Sequence, residues 1–305
     1  MAKRYHFVQV DVFTDQPFGG NQLAVFTDAR GLNAGEMQLL AREMNYSEST
    51  FVLPPEIPTA LRRVRIFTPA KEMPLAGHPT VGTTFVLAQQ GQIALREPAI
   101  EIVLQLGIGP VPITIEVKNG APDFVWMTQR EPSFGVVRDD RRQVAEALGI
   151  TVEDIHPAWP LQPISTGVPF LFVPLRSLGA AERCRPNVSA LVRLFARGEA
   201  DGVYVFTTET ASPAASIHGR MFALHALEIP EDPATGSAAA PLGAYVARYN
   251  ILPRAAEMRF VCEQGIEMGR PSQIHVEVRG AGEEIAGLRI GGRAVIVGEG
   301  EIFWD

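Results

Sequence analysis

Two stretches of this chain place polar or ionisable side chains at glycine turns that run into helices. In "MPLAGHPTVGTTFVL" (residues 73–87), Gly77 and His78 stand at the turn and Pro79 follows. In "EDPATGSAAAPLGAYV" (residues 231–246), Asp232 precedes Gly236 and Ser237, and an alanine-rich segment follows. A third stretch, "NYSESTFVL", sets Glu48 immediately before an apolar strand. A carboxylate at the mouth of a buried strand is partly desolvated, which raises its pKa toward the range of a useful acid/base. A helix start presents unpaired N–H groups and the positive end of the dipole, and glycine lets a ligand approach the backbone closely. Pro79 suits the first helical turn, where its missing N–H matters least. Two such starts facing one another would cradle an anion, most simply a carboxylate. Taken singly, each residue has a plainer reading. Glu48 is then a solvated loop acid, His78 a helix cap, Asp232 a turn residue, and each glycine junction purely structural. The combination is what points to proton chemistry on a small acid.

Other chemistries lack their residues. There is no G-x-x-x-x-G-K-[ST] phosphate loop and no G-x-G-x-x-G turn after a strand. No G-x-S-x-G elbow supports Ser237 as a hydrolase nucleophile. The histidines form no H-E-x-x-H, and Cys184 and Cys262 have no paired metal-ligand spacing, so no metal is expected. Both cysteines read as small apolar residues.

The elements that must position these residues are strand-rich. "YHFVQVDVF" and "LAVFTD" read as strands flanking the turn chemistry of "TDQPFGGNQ". "LNAGEMQLLAREMN" reads as a helix with Asn33 as cap, Glu36 completing a capping box, and Leu32 and Met37 as a hydrophobic staple. "STFVLPP", "LRRVRIFTP", "AIEIVLQL" and "VPITIEV" are strands around a helix that runs to about Gln90. "KNGAPD" marks a boundary, which predicts an N-terminal lobe over 1–119 and a C-terminal lobe over 120–305, whose last strands can pack back on the first lobe. The second lobe repeats the grammar. It has strands at "FVWMTQ", "PFLFVPL", "GVYVFT" and "ASIHGRMF", helices at "DRRQVAEALG" and "NVSALVRLFARG", the Gly236–Ser237 helix, and four closing strands. "RIFTPAKEMPLAGH" and "RMFALHALEIPEDPATGS" share an Arg-aliphatic-Phe strand before the turn, a weak internal repeat.

Bulk properties bound the rest. With 305 residues, 46% hydrophobic and 20% charged, the chain has the balance of a soluble protein of one large or two ordinary domains. A net charge of −7 argues against nucleic acid or an anionic membrane as partner. No apolar run approaches the ~18 residues of a spanning helix, and the N-terminus shows no signal-peptide pattern. Two cysteines make no disulfide framework, so a cytoplasmic setting is expected.

"VDVFTDQPFGGNQLAVF", "REMNYSESTFVL", "RIFTPAKEMPLAGHPTVGT", "EDPATGSAAAPLGAYVA" and "EQGIEMGRPSQIHVEV" resemble, in order and over nearly the whole chain, the PhzF-like (phenazine biosynthesis F-type) isomerase family. The resemblance implies an α+β fold similar to diaminopimelate epimerase: two pseudo-symmetric lobes, each a barrel-like sheet around a central helix, with the site in the cleft between them. It implies a homodimer without metal or organic cofactor that shifts a proton in a small carboxylate such as trans-2,3-dihydro-3-hydroxyanthranilate. Carried over by motif, Glu48 would be the general acid/base. His78 and Asp232 would hold and polarise the substrate, and Gly77, Gly236, Ser237 and Asn21 would line the site. Related thiol racemases carry a cysteine at each helix start. Ala76 and Thr235 stand there in this chain, which excludes a two-cysteine mechanism. An epimerase or racemase working through a carboxylate and a non-catalytic small-molecule binder are the alternatives. His225, in the departure "ALHALEIP", would sit near the cleft without an assigned role.

Overall fold

A computed structural model describes residues 3–195, 198–223, 231–253, 255–281 and 284–304. The chain divides into two compact units, Met1–Thr128 with Gly291–Asp305, and Gln129–Ile290. No helix among the described residues is long and apolar enough to cross a membrane.

The first unit runs β1 (Lys3–Val12), β2 (Asn21–Phe26), α1 (Ala34–Met44), β3 (Glu48–Leu53), β4 (Arg62–Phe67), β5 (Glu72–Met73), α2 (Gly77–Gln89), β6 (Ala99–Leu106), β7 (Gly109–Lys118) and β8 (Ala121–Thr128). The C-terminal strand Ala294–Trp304 returns to pair antiparallel with β1. β2 and β3 are parallel, as are β4 and β6. Parallel neighbours need a crossover, and α1 and α2 supply the two. α1 starts where the sequence indicates: the Asn33 side chain accepts from the Glu36 N–H at 3.0 Å, and Glu36 Oε2 accepts from the Asn33 N–H at 2.7 Å. α2 is buried on nearly all sides, its threonines included, and touches β1, β2, β3, β8 and the C-terminal strand. A helix without a solvent-facing stripe is a core helix, and this one is the axis of its unit. Gly82 lets it come close, since a Cβ there would stand 2.6 Å from Val12 Cγ2 and 2.8 Å from Leu23 Cδ2.

The second unit runs β9 (Ser133–Phe134), α3 (Arg141–Leu148), β10 (Gln162–Ser165), β11 (Pro169–Pro174), α4 (Leu178–Arg183), α5 (Val188–Leu194), β12 (Gly202–Thr207), β13 (Ile217–Ala223), α6 (Gly236–Tyr249), β14 (Glu257–Gln264) and β15 (Ser272–Ala281), followed by β16 (Glu284–Gly292). α6 is its axis, buried along nearly its whole length against β10, β11 and β15. Gly243 is the close-approach position, with a Cβ there 2.7 Å from Val276 Cγ1.

The internal repeat is a repeat of topology. From β1 the successive pairings are antiparallel to β2, parallel to β3, antiparallel to β4, parallel to β6 and antiparallel to β7. From β10 they are antiparallel to β11, parallel to β12, antiparallel to β13, parallel to β14 and antiparallel to β15. The central helix occupies the same crossover in both series. The Arg-aliphatic-Phe strands are β4 and β13, equivalent by this count. The fold is therefore α+β, with two pseudo-symmetric halves.

The division falls after Thr128 rather than at "KNGAPD". Asn119 and Gly120 have φ of 54° and 74° and close the β7–β8 hairpin, whose register keeps both strands in the first unit. Consecutive left-handed residues with Asn-Gly are a hairpin turn, not a linker.

Candidate active site

Glu48 opens β3, Asn21 opens β2 and His78 is the second residue of α2. β2 and β3 are parallel, with Leu23 opposite Glu48, so the two strand starts lie at the same end of the sheet. Glu48, His78, Asn21 and Ser47 are all buried. His78 Nε2 lies 3.5 Å from Glu48 Oε2. On the other side of the ring, Asn21 Nδ2 is 3.2 Å from Nδ1, and the Ser47 hydroxyl donates to Asn21 Oδ1 at 2.8 Å. Burial pushes the imidazole down to about 3, overriding the Gln22 backbone hydrogen bond that works the other way, so His78 is neutral across the working pH range. Asn21 is delivered by a rigid loop. The Phe18 N–H donates to the buried Asp11 carboxylate at 2.7 Å, and Gly20 at φ 62° brings its backbone where a Cβ would stand 2.3 Å from the Val12 carbonyl.

α2 begins without a side-chain cap: its N-cap residue is Ala76, and the first-turn N–H groups are left to other partners. The same is true of α6, whose N-cap is Thr235. The Thr235 hydroxyl is spent elsewhere, donating to Asp232 Oδ2 at 2.5 Å. Gln264 at the end of β14 ties this turn together. Its amide donates to the Asp232 carbonyl at 2.7 Å and to Thr235 Oγ1 at 3.0 Å, and its Oε1 accepts from the Thr235 N–H at 3.2 Å. Asp232 is buried and its N–H donates to the Met221 carbonyl of β13. The adjacent Glu231 is gripped by Arg220 through two bonds of 2.7 and 2.8 Å. Gly265, at φ 77°, lies where a Cβ would stand 2.5 Å from the Pro233 carbonyl, and Ser272 donates to that carbonyl at 3.0 Å. The "EQGIEMGRPS" stretch is thus the brace of the "EDPATGS" turn.

A second cluster adjoins this turn through Arg220, whose Nε lies 3.9 Å from Glu267 Oε1. His218 on β13 lies between Glu263 (2.9 Å at Nδ1) and Glu267 (3.0 Å at Nε2). Burial opposes its charge, but the Glu267 and Glu263 carboxylates outweigh it and raise the pKa. Glu263 also accepts from the Ala211 and Ser212 N–H groups. Cys184 and Cys262 are fully buried, and burial pushes both thiols up to about 12.

Compared with known proteins, residues 10–300 match the family model described as "Phenazine biosynthesis-like protein". The chain belongs to that family. An uncharacterised isomerase of Mesorhizobium japonicum is 38% identical, with 98% of each chain covered. The trans-2,3-dihydro-3-hydroxyanthranilate isomerase of Pseudomonas aeruginosa is 32% identical over 98% of this chain and 99% of its own. Among solved structures, a phenazine biosynthesis protein of the PhzF family from Bacillus anthracis has a TM-score of 0.90 at 31% identity, covering 98% of this chain and 99% of that one. A hydroxyproline epimerase from Agrobacterium vitis shares the fold alone, at TM-score 0.69 and 15% identity over 98% of this chain and 92% of its own. This phenazine biosynthesis-like protein is accordingly an enzyme of the isomerase class.

The structure brings Asn21, Glu48, Gly77 and His78 together in the first unit, and Asp232, Gly236 and half-buried Ser237 in the second. His225 lies outside the described residues. The reading from sequence did not single out Ser47 or Gln264. Ser47 had no signal beyond adjacency to Glu48, and Gln264 is 29 positions from the Thr235 it bonds, a contact only the folded chain shows. His78 is not a helix-capping side chain, because its ring turns to Asn21 and Glu48 instead.

Proposed function

We propose that this chain is a proton-shifting isomerase of a small carboxylate, with Glu48 as the group that carries the proton. The observation that carries this reading is Glu48 itself: a buried carboxylate at a strand start, 3.5 Å from a neutral imidazole, beside a helix start that no side chain caps. As a base, Glu48 takes a proton from one carbon while the C–H electron pair moves into an adjacent conjugated system. As an acid, it returns the proton to another carbon of the same molecule. The step is redox-neutral and needs no co-reactant. The chemistry of His78 and of the Gly77 backbone suits a substrate oxygen as it gains charge. On the resemblance, Asp232, Gly236 and Ser237 are assigned to hold the substrate's polar groups, and the uncapped start of α6 supports an anionic one. Neither N-cap, Ala76 nor Thr235, carries a thiol, which favours a one-carboxylate mechanism over that of a two-cysteine racemase. A homodimeric, cytoplasmic enzyme rests on the resemblance and on the cysteine content.

The first compound to test is the one for which the Pseudomonas aeruginosa relative is named, trans-2,3-dihydro-3-hydroxyanthranilate. Incubated with it in deuterated water, the enzyme gives an isomer of the substrate that carries deuterium at the new C–H. Turnover without isotope entry in either substrate or product, at conversions long enough for Glu48 to exchange, argues against a carboxylate shuttle. No turnover removes this compound and leaves other small carboxylates to be screened by the same exchange.

A further inference from the structure

Both ring nitrogens of buried His218 face carboxylates, Nδ1 that of Glu263 at 2.9 Å and Nε2 that of Glu267 at 3.0 Å. An ionised carboxylate only accepts, so both contacts are made only when each nitrogen carries a proton. The ring is then one cation in a chain of charges. Arg220, two residues along β13, has Nε 3.9 Å from Glu267 and holds Glu231 through Nε and Nη2. Its Nη1 donates to the Ala181 and Cys184 carbonyls at the end of α4. The other neighbours add no free charge. Thr207 of β12, opposite His218, is neutral, the Cys184 thiol is pushed up to about 12, and Arg183 of α4 is turned to Asp154.

The chain of charges meets the turn that carries Asp232 at three points. Glu231 is the residue before Asp232. Glu263 precedes Gln264, whose amide bonds the Asp232 carbonyl, the Thr235 hydroxyl and the Thr235 N–H. Glu267 lies in the 3-10 turn Ile266–Met268, directly after Gly265 and its close approach to the Pro233 carbonyl. We infer that His218, acting as an imidazolium with Glu267 and Arg220, is a positioning residue that holds the Asp232 turn in its substrate-binding shape. The inference deepens the proposed function and rests on it for the role of Asp232. A neutral ring donates from one nitrogen only and turns a lone pair on the other carboxylate. Glu263 is the better anchored of the two, because it also accepts from the Ala211 and Ser212 N–H groups, so the Glu267 contact is the one released. The carboxylates hold the pKa of the folded ring above the ordinary 6.5, so the brace is complete below that value and is lost as pH rises through the folded one.

Hydrogen exchange of residues 231–237, followed by mass spectrometry, reads the turn without any substrate. At pH 6.5 this segment exchanges about tenfold or more faster in His218→Gln than in wild type, as loss of a hydrogen bond between charged groups implies. The gap narrows as pH rises to 9. Glu267→Gln keeps the slow exchange at both pH values, because an amide pairs with either form of the ring, accepting from a protonated Nε2 or donating to a bare one. With trans-2,3-dihydro-3-hydroxyanthranilate, His218→Gln raises KM about tenfold at pH 6.5 and far less at pH 9, with kcat within about threefold at both. Equal exchange of the segment in wild type and His218→Gln at pH 6.5 overturns the inference, whatever the enzyme does with that compound. A gap of the same size at both pH values also overturns it, since it marks packing alone. Where His218→Gln does not fold, the wild type must exchange progressively faster than Glu267→Gln as pH rises, and a constant ratio overturns the inference. A KM ratio that ignores pH, with the compound turned over, overturns the role in binding. The expected exchange without turnover sustains the positioning role and counts only against the proposed substrate.

Discussion

Glu48 Oε2 and His78 Nε2 face each other at 3.5 Å, both buried, one at the start of a parallel strand and the other in the first turn of the central helix. Replacing Glu48 by glutamine keeps the shape and removes the group that can accept and return a proton. Turnover is expected to fall by about 100- to 10,000-fold, the range of a positioned acid/base. Substrate affinity, read by calorimetry on the inactive variant, stays within about tenfold. Near-normal turnover by Glu48→Gln would remove this carboxylate from the mechanism.

His78 makes the first unit acid-sensitive. Its folded pKa, about 3, lies below the ordinary 6.5, so between those values the unfolded chain binds more protons than the folded one. Stability therefore rises with pH across that window and falls on acidification, by about 1.4 kcal/mol for each pH step of one. In urea titrations from pH 4 to 8, His78→Gln should flatten the acid limb by a few kcal/mol. Parallel curves for the two proteins would show that the ring is protonated inside the fold.

His218 has the opposite sign. The carboxylates of Glu267 and Glu263 raise its folded pKa, with Arg220 Nε 3.9 Å from Glu267 as the nearby opposing charge. Its contribution is fully present below the unfolded value near 6.5 and is lost as pH rises through the folded one. His218→Gln should thus cost more stability at pH 6 than at pH 9. An equal loss at both would mean that the ring contributes only packing.

The sequence is legible where one local rule decides. Asn33 and Glu36 formed their capping box because both partners lie within one turn. The four closing strands fall where alternation places them, at Glu257–Gln264, Ser272–Ala281, Glu284–Gly292 and Ala294–Trp304. The helix at "NVSALVRLFARG" starts at its Asn187 cap but ends at Leu194, with Phe195 as C-cap, before Gly198. Short elements gave no periodic signal. β5 and β9 have two residues each, β10 is "QPIS", and α4 is six residues capped by Ser177. "FVWMTQ" reads as a strand from its pattern, but its assignment to the first unit depends on the β7 register, which alternation does not specify. At the site, glycine turns betray Gly77 and Gly236, whereas the contacts that hold His78 and the Asp232 turn join residues 57 and 29 or more positions apart.

The two axial helices should be equally intolerant of bulk. Alanine at Gly82 would press on Val12 and Leu23, and alanine at Gly243 on Val276 and Val278, at 2.6 to 3.0 Å. Alanine gains roughly 1 kcal/mol of helix preference over glycine, while overpacking costs about 1–3 kcal/mol. Each variant should lose up to about 2 kcal/mol in chemical denaturation. A gain in either would mean that the neighbouring side chains yield freely and that close approach is not what those glycines serve.

The cysteines should be silent in the folded enzyme. Cys184 and Cys262 are fully buried, and their thiols are pushed up to about 12, so at pH 8 roughly one in ten thousand would be thiolate, the reactive form. Cys262 Sγ contacts the Tyr204 hydroxyl at 3.2 Å, and that hydroxyl also donates to Gln264 at 3.1 Å, so loss of the thiol leaves Tyr204 its bond to the brace of the Asp232 turn. Iodoacetamide at pH 8 should label neither residue in native protein and both in denaturant. Replacing both with alanine should lower the melting temperature by several degrees, since buried small-to-smaller changes cost about 1 kcal/mol each, and leave kcat within about threefold. With Ala76 and Thr235 at the helix starts, no thiol is available to the chemical step. A fall of several orders of magnitude in kcat for a folded double variant would contradict the carboxylate mechanism directly.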